Sequence, residues 1–435
     1  MMKEEKRVDN QRLPIRRGEA LLLVIAVLCY LYLQVYRPLG RLHCNDFKHL
    51  YIGAKILRQG HNPYDAERMF YESATLGFRS ILPYVYLPFT GLALSPLTLF
   101  SFRAAALIWF FLNHVFLLAS LYFMSALGGE RGRIRRFSLW LFFLALFFPL
   151  TRNLTAGQLN AALLFCFALI WHLNERKNAP AVGAVSAFAI LFKLSPGILF
   201  LYYFWKRQWK NLAWTAAFTA LFLLLSIGLF GLDIHLKFVP VLRKMSYGHS
   251  TWEQFGNDFY RDPFNQSVNS LFHHLVTLNP YTKPWLQLSK GAANILTMAV
   301  SLILLAMTLV FCYPGKKDKL EGNRERDFAL FIMLSLLIPS LCWDHYLVQA
   351  LWPIMACAFL ISKRGGKGIC ALFSVCLIVM AIPFPFNAGR FRTGAGILMM
   401  SLKLWAALTL FILLLVLRME NNSSGDDENG CARSD

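Results

Sequence analysis

ALLLVIAVLCYLYLQVY, running from Ala20 to Tyr36, decides the class of this chain. A helix rising ~1.5 Å per residue crosses the hydrocarbon of a bilayer with roughly 17–25 apolar residues. This run has that length, carries no charge, and lacks the small-residue cleavage site of a signal peptide, so it reads as an anchor. The rest of the chain repeats the theme. Hydrophobic residues make up 57%, the 38 Phe outnumber the 24 acidic residues, and mean hydropathy is +0.46. A soluble domain has no means of covering that much apolar surface, so lipid is the expected solvent and the fold class is an all-α polytopic membrane protein. The net charge of +20 would suit nucleic acid if it were massed on one soluble domain. The basic residues instead lie between apolar runs, where topology and anionic head groups account for them. The bilayer is the expected partner, and nucleic acid is not.

The apolar runs predict about twelve crossings. They are Glu19–Arg37, Arg103–Leu127, Phe137–Thr151, Gln158–Asn174, Pro180–Leu194, Ser195–Trp205, Asn211–Phe230, Gly291–Tyr313, Asp327–Leu341, His345–Ile361, Gly368–Phe386 and Gly396–Leu417. With the N-terminus inside, the basic clusters Arg131–Arg136, Arg176-Lys177, Lys206–Lys210, Lys316–Lys319 with Arg324 and Arg326, and Lys363–Lys367 all fall on the cytoplasmic side. Ile81–Phe100 is apolar too, but it carries Pro83, Pro88 and Pro96. Counting it as a span would put the Arg131–Arg136 cluster outside, so it reads as re-entrant or interfacial. The organisation is then a basic cytoplasmic tail over 1–18, a membrane-embedded domain over 19–417, and a polar tail over 418–435 expected to be disordered. Two long outer loops, 38–102 and 231–290, interrupt the membrane domain.

This topology gathers the informative polar residues on one outer face. They are Asp46 with Lys48 and His49, the stretch Thr155-Ala156-Gly157-Gln158, the stretch Asn257–Asn269, and Trp343-Asp344-His345-Tyr346. Polar and ionisable residues at membrane depth are costly and rare without a partner or a task. Asp46 stands out among them, because a carboxylate just past the lipid face reads as a site. The bland reading is an aspartate that caps the next helix.

Other chemistries lack their signatures. No Walker A loop, G-x-S-x-G elbow or H-E-x-x-H is present, and the nine cysteines form neither C-x-x-C nor a zinc-type Cys/His spacing. No metal and no cofactor are expected. Cys44 and Cys342 each precede an acidic residue by two positions, which leaves a disulfide between them open. His273-His274 would face apart on a helix or strand, which favours packing over metal ligation.

The run Asp46-Phe47-Lys48-His49-Leu50-Tyr51-Ile52-Gly53-Ala54-Lys55-Ile56-Leu57-Arg58-Gln59-Gly60-His61-Asn62-Pro63-Tyr64-Asp65 resembles the opening signature of the polyprenol-phosphate-mannose-dependent α-1,2-mannosyltransferases, glycosyltransferase family 87. Similar stretches follow in the family's order: Tyr86-Leu87-Pro88-Phe89 with Ser95-Pro96-Leu97, Gly157-Gln158-Leu159-Asn160, Lys193-Leu194-Ser195-Pro196 and Trp343-Asp344-His345-Tyr346. The resemblance covers residues from about 20 to about 360. Tyr346 departs from it, since family members often carry a second histidine there.

The resemblance implies a C-type glycosyltransferase helix bundle with amphipathic helices on its outer face. It also implies a polyprenyl-phosphate-linked hexose as donor, a glycan or glycolipid as acceptor, and Asp46 as the catalytic carboxylate. The chemistry is coherent, because a sugar hydroxyl is a poor nucleophile and needs a carboxylate in hydrogen-bond reach to take its proton. A phosphodiester leaves as a stable anion and needs cations or donors in place of a general acid. Single displacement inverts the anomeric centre.

Other site residues carry two readings each. Lys48 and His49 either hold the donor phosphate or orient Asp46. Lys55, seven residues after Lys48, shares its helical face and either meets lipid phosphate or snorkels. Gln158 and Asn160 either bond sugar hydroxyls or link helices. Lys193 meets phosphate or caps a helix C-terminus. His345 contacts donor or acceptor, with Asp344 either joining it or holding it. Asn62 and Tyr64 read as turn residues, and Trp252, Phe255, Phe259, Tyr260 and Phe264 as a sugar-stacking wall or an interfacial belt. The expected place is the cell (inner) membrane, with both termini cytoplasmic. The rival functions are transfer of another sugar such as arabinose, a lipid-linked-sugar flippase or transporter, and a non-catalytic scaffold. A transporter should show paired repeats with polar residues at mid-membrane, and no internal repeat is evident.

Overall fold

The computed structural model describes residues 17–253, 256, 258–315 and 322–418. The expected N-terminal tail up to residue 16, Phe255, Asn257, Lys316–Lys319 and the tail from residue 419 lie outside the described residues.

The helices that matter, in chain order, are α1 (Arg17–Leu39), α2 (Asn45–Arg58), α3 (Ala66–Thr75), α4 (Pro88–Leu94), α5 (Phe102–Met124), α6 (Arg133–Leu146), α7 (Phe148–Ala156) and α8 (Asn160–Glu175). They continue as α9 (Ala179–Phe192), α10 (Ile198–Trp205), α11 (Trp209–Phe230), α12 (Leu232–Arg243), α13 (Val268–Val276) and α14 (Lys290–Phe311). The last are α15 (Asn323–Leu337), α16 (Leu351–Arg364), α17 (Lys367–Ala381) and α18 (Leu402–Val416). No strand forms among the described residues.

Five helical stretches are long and apolar enough to cross a membrane: α1, α5, α11, α14 and Asp344–Arg364, which joins a 3₁₀ turn to α16. The bent pair α6–α7 makes a sixth, and α9, α17 and α18 are shorter apolar helices. The other expected spans fall on α8, α10 and α15. Leu224 on α11 and Leu302 on α14 are 65% and 58% exposed, apolar surface that suits lipid. Ile81–Phe100 is not among these long apolar stretches; its helices are α4 and a 3₁₀ turn over Ser95–Leu99.

α15 is the spine, with every residue but Arg324 buried. It packs against α10, α16 and α18, while α1 lies along α6, α5 along α8, and α9 along α8 and α11. The α6–α7 pair bends by 67° at Phe147, with Pro149 in the first turn of α7. Such a bend frees carbonyls, which in lipid must find partners within the protein. Gln34, buried in a π-helical stretch of α1, supplies them: its Nε2 donates to Leu144 O at 3.0 Å and Ala145 O at 2.9 Å. Thr151 Oγ1 donates back to Gln34 Oε1 at 3.1 Å. The bend turns the C-terminal end of α7 toward the start of α2, where Cys44 N donates to Thr155 O at 2.8 Å.

Three contacts tie together segments that flank basic clusters expected on the cytoplasmic side. Arg324 pairs with Glu175 at 3.0 Å, Lys206 with Asp327 at 2.8 Å, and Arg364 donates to Arg418 O at 3.0 Å.

Candidate active site

α2 is amphipathic. Phe47, Leu50, Tyr51, Ala54 and Leu57 bury one face, and Gly53 lets Tyr84 lie against its backbone, where an added Cβ would sit 2.1 Å from that ring. Gly157, past the end of α7, holds φ +73°, and a Cβ there would meet Phe47 Cβ at 2.6 Å. Trp109 Nε1 donates to Gly157 O at 2.9 Å and its ring stacks on Phe47. Phe47 is thus clamped between α5 and the end of α7, and it fixes its neighbour Asp46.

Asp46 lies in the first turn of α2, where the helix N-terminus favours a negative charge. Cys44 is the N-cap, in the left-handed region at φ 49°, uncommon for a residue with a side chain. The capping reading of Asp46 therefore fails. Among the described residues its half-buried carboxylate makes no hydrogen bond and no ion pair. It faces a cavity of about 570 Å³ whose lining includes His43, His49, Tyr86, Arg152, Gln158, Lys193, Trp252, Trp343 and His345. Each of the four polar clusters expected on one face contributes to this wall.

His49, one turn further along α2, is buried with its ring stacked on Tyr86. Burial pushes its pKa down, and the Asp46 charge only partly opposes this. Its Nδ1 has no hydrogen-bond partner. His43 is shifted down by burial as well, and it feels the charges of Asp46, Lys48, Arg152 and His345.

Four expected residues stand outside the cavity wall, Lys48, Lys55, Asn160 and Asp344. Lys48 Nζ donates to Asn45 Oδ1 at 3.1 Å and lies 5.0 Å from the Phe78 ring. Lys55 pairs with Glu72 of α3 at 3.0 Å, a buried carboxylate that also takes Arg68 at 3.2 Å. The two lysines share no common face toward a phosphate, because the burial of Glu72 claims the second.

Gln158 lines the cavity, is buried, and keeps Oε1 without a partner. Asn160 is a wholly buried junction between helices. Its Nδ2 donates to Asn153 Oδ1 at 3.0 Å and to His345 O at 3.4 Å, while its Oδ1 accepts from Gln349 Nε2 at 2.8 Å and Lys193 Nζ at 3.2 Å. Lys193, just past α9, lines the cavity but is engaged there and 3.4 Å from the centre of the Tyr346 ring.

His345 and Tyr346 face the cavity, while Asp344 is buried behind them. Asp344 Oδ1 accepts from Arg152 Nη1 at 2.7 Å, and Lys403 Nζ approaches its Oδ2 at 3.7 Å. His345 Nδ1 is 3.7 Å from Oδ1, beyond hydrogen-bond reach. Asp344 therefore holds Arg152 more closely than either Lys403 or His345. Neither cation was singled out from the sequence, although each left a signal: Arg152 is the one charged residue in the short segment between the expected spans Phe137–Thr151 and Gln158–Asn174, and Lys403 is a lysine inside the last apolar run.

Of the aromatic wall, Trp252 and Phe259 line the cavity, with Phe259 edge-on to both Trp252 and Trp343. Tyr260 packs on His273, whose Nε2 lies 3.0 Å from Asn294 Oδ1, and His274 Nε2 lies 2.6 Å from Arg261 O. Both histidines are buried packing groups. Tyr64 closes the Asn-Pro-Tyr-Asp turn by taking Asn62 Oδ1 on its N–H at 3.0 Å and donating its hydroxyl to Tyr86 O at 2.7 Å. Cys44 and Cys342 are buried free thiols.

The chain matches the model of glycosyltransferase family 87 over residues 84–340, more than half of its 435 residues. It belongs to that family. The match contains the bent α6–α7 pair, Arg152, Gln158, Lys193 and the aromatic wall; Asp46 precedes it, and Asp344 and His345 follow it. No curated protein and no solved structure matches the chain. Membership makes this protein a glycosyltransferase, and its apolar helices make it a membrane protein.

Proposed function

We propose that this glycosyltransferase moves a hexose, mannose on the family resemblance, from a polyprenyl-phosphate-linked donor to a hydroxyl of a glycan or glycolipid. The supporting observation is Asp46: a carboxylate without a protein partner, set in a helix first turn at the wall of a 570 Å³ cavity. The acceptor hydroxyl attacks the anomeric carbon as the bond from that carbon to the phosphate oxygen breaks. Its proton passes to Asp46, the electron pair leaves with polyprenyl monophosphate, and the configuration inverts. His49, neutral by burial, and Gln158, with a free acceptor, stand where sugar hydroxyls would be bound. Trp252, Phe259 and Trp343 offer apolar faces to a sugar ring.

In this reading no metal takes part, the cavity opens on the outer side of the cell membrane, and both termini are cytoplasmic. The C-type bundle with about twelve crossings belongs to the same proposal. The test is transfer of labelled mannose from polyprenyl-phosphate-mannose in membranes, wild type against Asp46→Asn. Product from the wild type alone supports the reading, and equal product from both rejects Asp46 as base.

A further inference from the structure

We infer that Arg152 is the residue that holds the departing phosphate, and that Asp344, backed by Lys403, positions it; this rests on the lipid-phosphate donor proposed above. The cavity wall carries three cationic side chains, Arg152, Lys193 and Lys244, and Lys244 already has a partner. Lys193 is already committed to Asn160 Oδ1 at 3.2 Å and to the Tyr346 ring. Among the described residues Arg152 spends only Nη1 in a hydrogen bond, the 2.7 Å bond to Asp344. A guanidinium carries five N–H donors in a fixed fork, so its remaining edge is free for a phosphate, a geometry to which Arg is suited.

Charge points the same way. Asp344 is one negative charge facing two positive ones, and Lys403, wholly buried, has no hydrogen-bond partner. The cluster therefore carries a surplus positive charge, and its one partly exposed member is Arg152, with 31% of its side chain open against 1% for Asp344. Asp262 lies within electrostatic range of Arg152 but makes no ion pair with it; its Oδ1 accepts from Phe264 N at 2.8 Å. Phe264 supports the guanidinium from one side at 4.8 Å. Asp46 and Arg152 both line the cavity, and both lie within electrostatic range of His43. An inverting displacement needs both groups, the base on the acceptor and the cation on the leaving group.

Asp344 does not line the cavity, so it acts through Arg152 and not on substrate. Its burial requires cations, and Lys403 supplies one from the apolar side, in contact range of Phe148 and Phe386. That arrangement fixes the carboxylate, which fixes one edge of the guanidinium and presents the other.

The experiment measures binding of polyprenyl monophosphate, the leaving group itself, to the purified full-length protein. Arg152→Gln is expected to weaken binding by roughly 10- to 100-fold, the usual cost of losing a charge-assisted hydrogen bond. Arg152→Lys should fall between, because a lysine offers charge without the fork. Asp46→Asn should bind as the wild type does, since it touches the acceptor. Asp344→Asn combined with Lys403→Met removes one charge of each sign and leaves none buried alone. That pair should fold, weaken binding, and raise KM for the lipid donor while KM for the acceptor stays put, a split that a merely structural role would not give. Wild-type binding matched by Arg152→Gln overturns this inference and leaves the proposed donor standing; if Arg152→Gln does not fold, unchanged binding by Arg152→Lys and by the double variant overturns it. A wild type that neither binds polyprenyl phosphate nor transfers from its mannosyl form overturns the donor, and this inference with it.

Discussion

Asp327 and Asp344 each stand between two cations, yet one cluster is closed and the other opens onto the cavity. At the Asp327 end, Arg326 bonds Oδ1 through Nε at 2.9 Å and Nη2 at 2.6 Å, and Lys206 bonds Oδ2 at 2.8 Å. Both cations also reach carbonyls at the end of α14, Phe311 O and Cys312 O, and none of the three side chains is more than 6% exposed. At the Asp344 end one bond is short, the other approach is 3.7 Å, and Arg152 is partly open. The closed cluster joins α15 to α10 and the end of α14. Both leave one positive charge over, but only the open one presents it to a cavity, which is what a site for an anion requires. The same residue types thus do structural duty where every partner is internal, and are available for chemistry where one is not.

Breaking the closed cluster should have the largest effect. Asp327→Asn strands two buried cations, and the expected loss of stability is about 3–5 kcal/mol. A fall in melting temperature, with loss of monodisperse protein, checks it; unchanged melting would place the cluster in water. Acid should separate the two ends next. Burial sets His273 and His274 to a pKa of about 4, below the ordinary ~6.5. The unfolded chain takes up protons first as pH drops, so their contribution is present above pH ~6.5 and is lost as pH falls toward about 4, on the order of 3 kcal/mol for each histidine. Hydrogen exchange at pH 5 should rise around α13 before it rises at α15, and simultaneous opening would contradict the division.

A backbone change sharpens the site alone. Gly157→Ala forces a side chain into a positive φ and against Phe47, at an expected cost of about 1–3 kcal/mol. Transfer should fall by more than stability explains, because Phe47 carries Asp46; activity that tracks folded protein would show that the clamp does not set the carboxylate. The smallest effect is expected at Lys403. With one 3.7 Å approach to Asp344 and no hydrogen bond among the described residues, Lys403→Met should cost less stability than Lys206→Met, which breaks a 2.8 Å ion pair. Equal costs would erase the contrast between the ends.

Much of this was legible in the sequence, because lipid imposes a strong one-dimensional signal. Apolar length marked the long helices, proline kept Ile81–Phe100 from being counted as a span, and basic loops brought the right residues to one end. Asp46, His49, Gln158, Lys193 and His345 all line the one cavity. What the sequence hid was pairing. Nothing local in Lys55 points to Glu72, and helical spacing alone suggested a phosphate-facing row. Asn160 kept a sugar-binding reading beside the helix-linking one because three of its four partners arrive from distant segments. Arg152 and Asp344 are 192 positions apart, and only the bend at Phe147 with the Gln34 bridge swings Arg152 to that carboxylate.

The most direct measurement is single-turnover transfer from labelled polyprenyl-phosphate-mannose by purified wild type and Asp46→Asn at matched folded concentration. Removing a general base should slow the chemical step by about 10²–10⁴-fold while the binding of polyprenyl phosphate is unchanged. Full transfer by Asp46→Asn would contradict the account, whatever else the cavity binds.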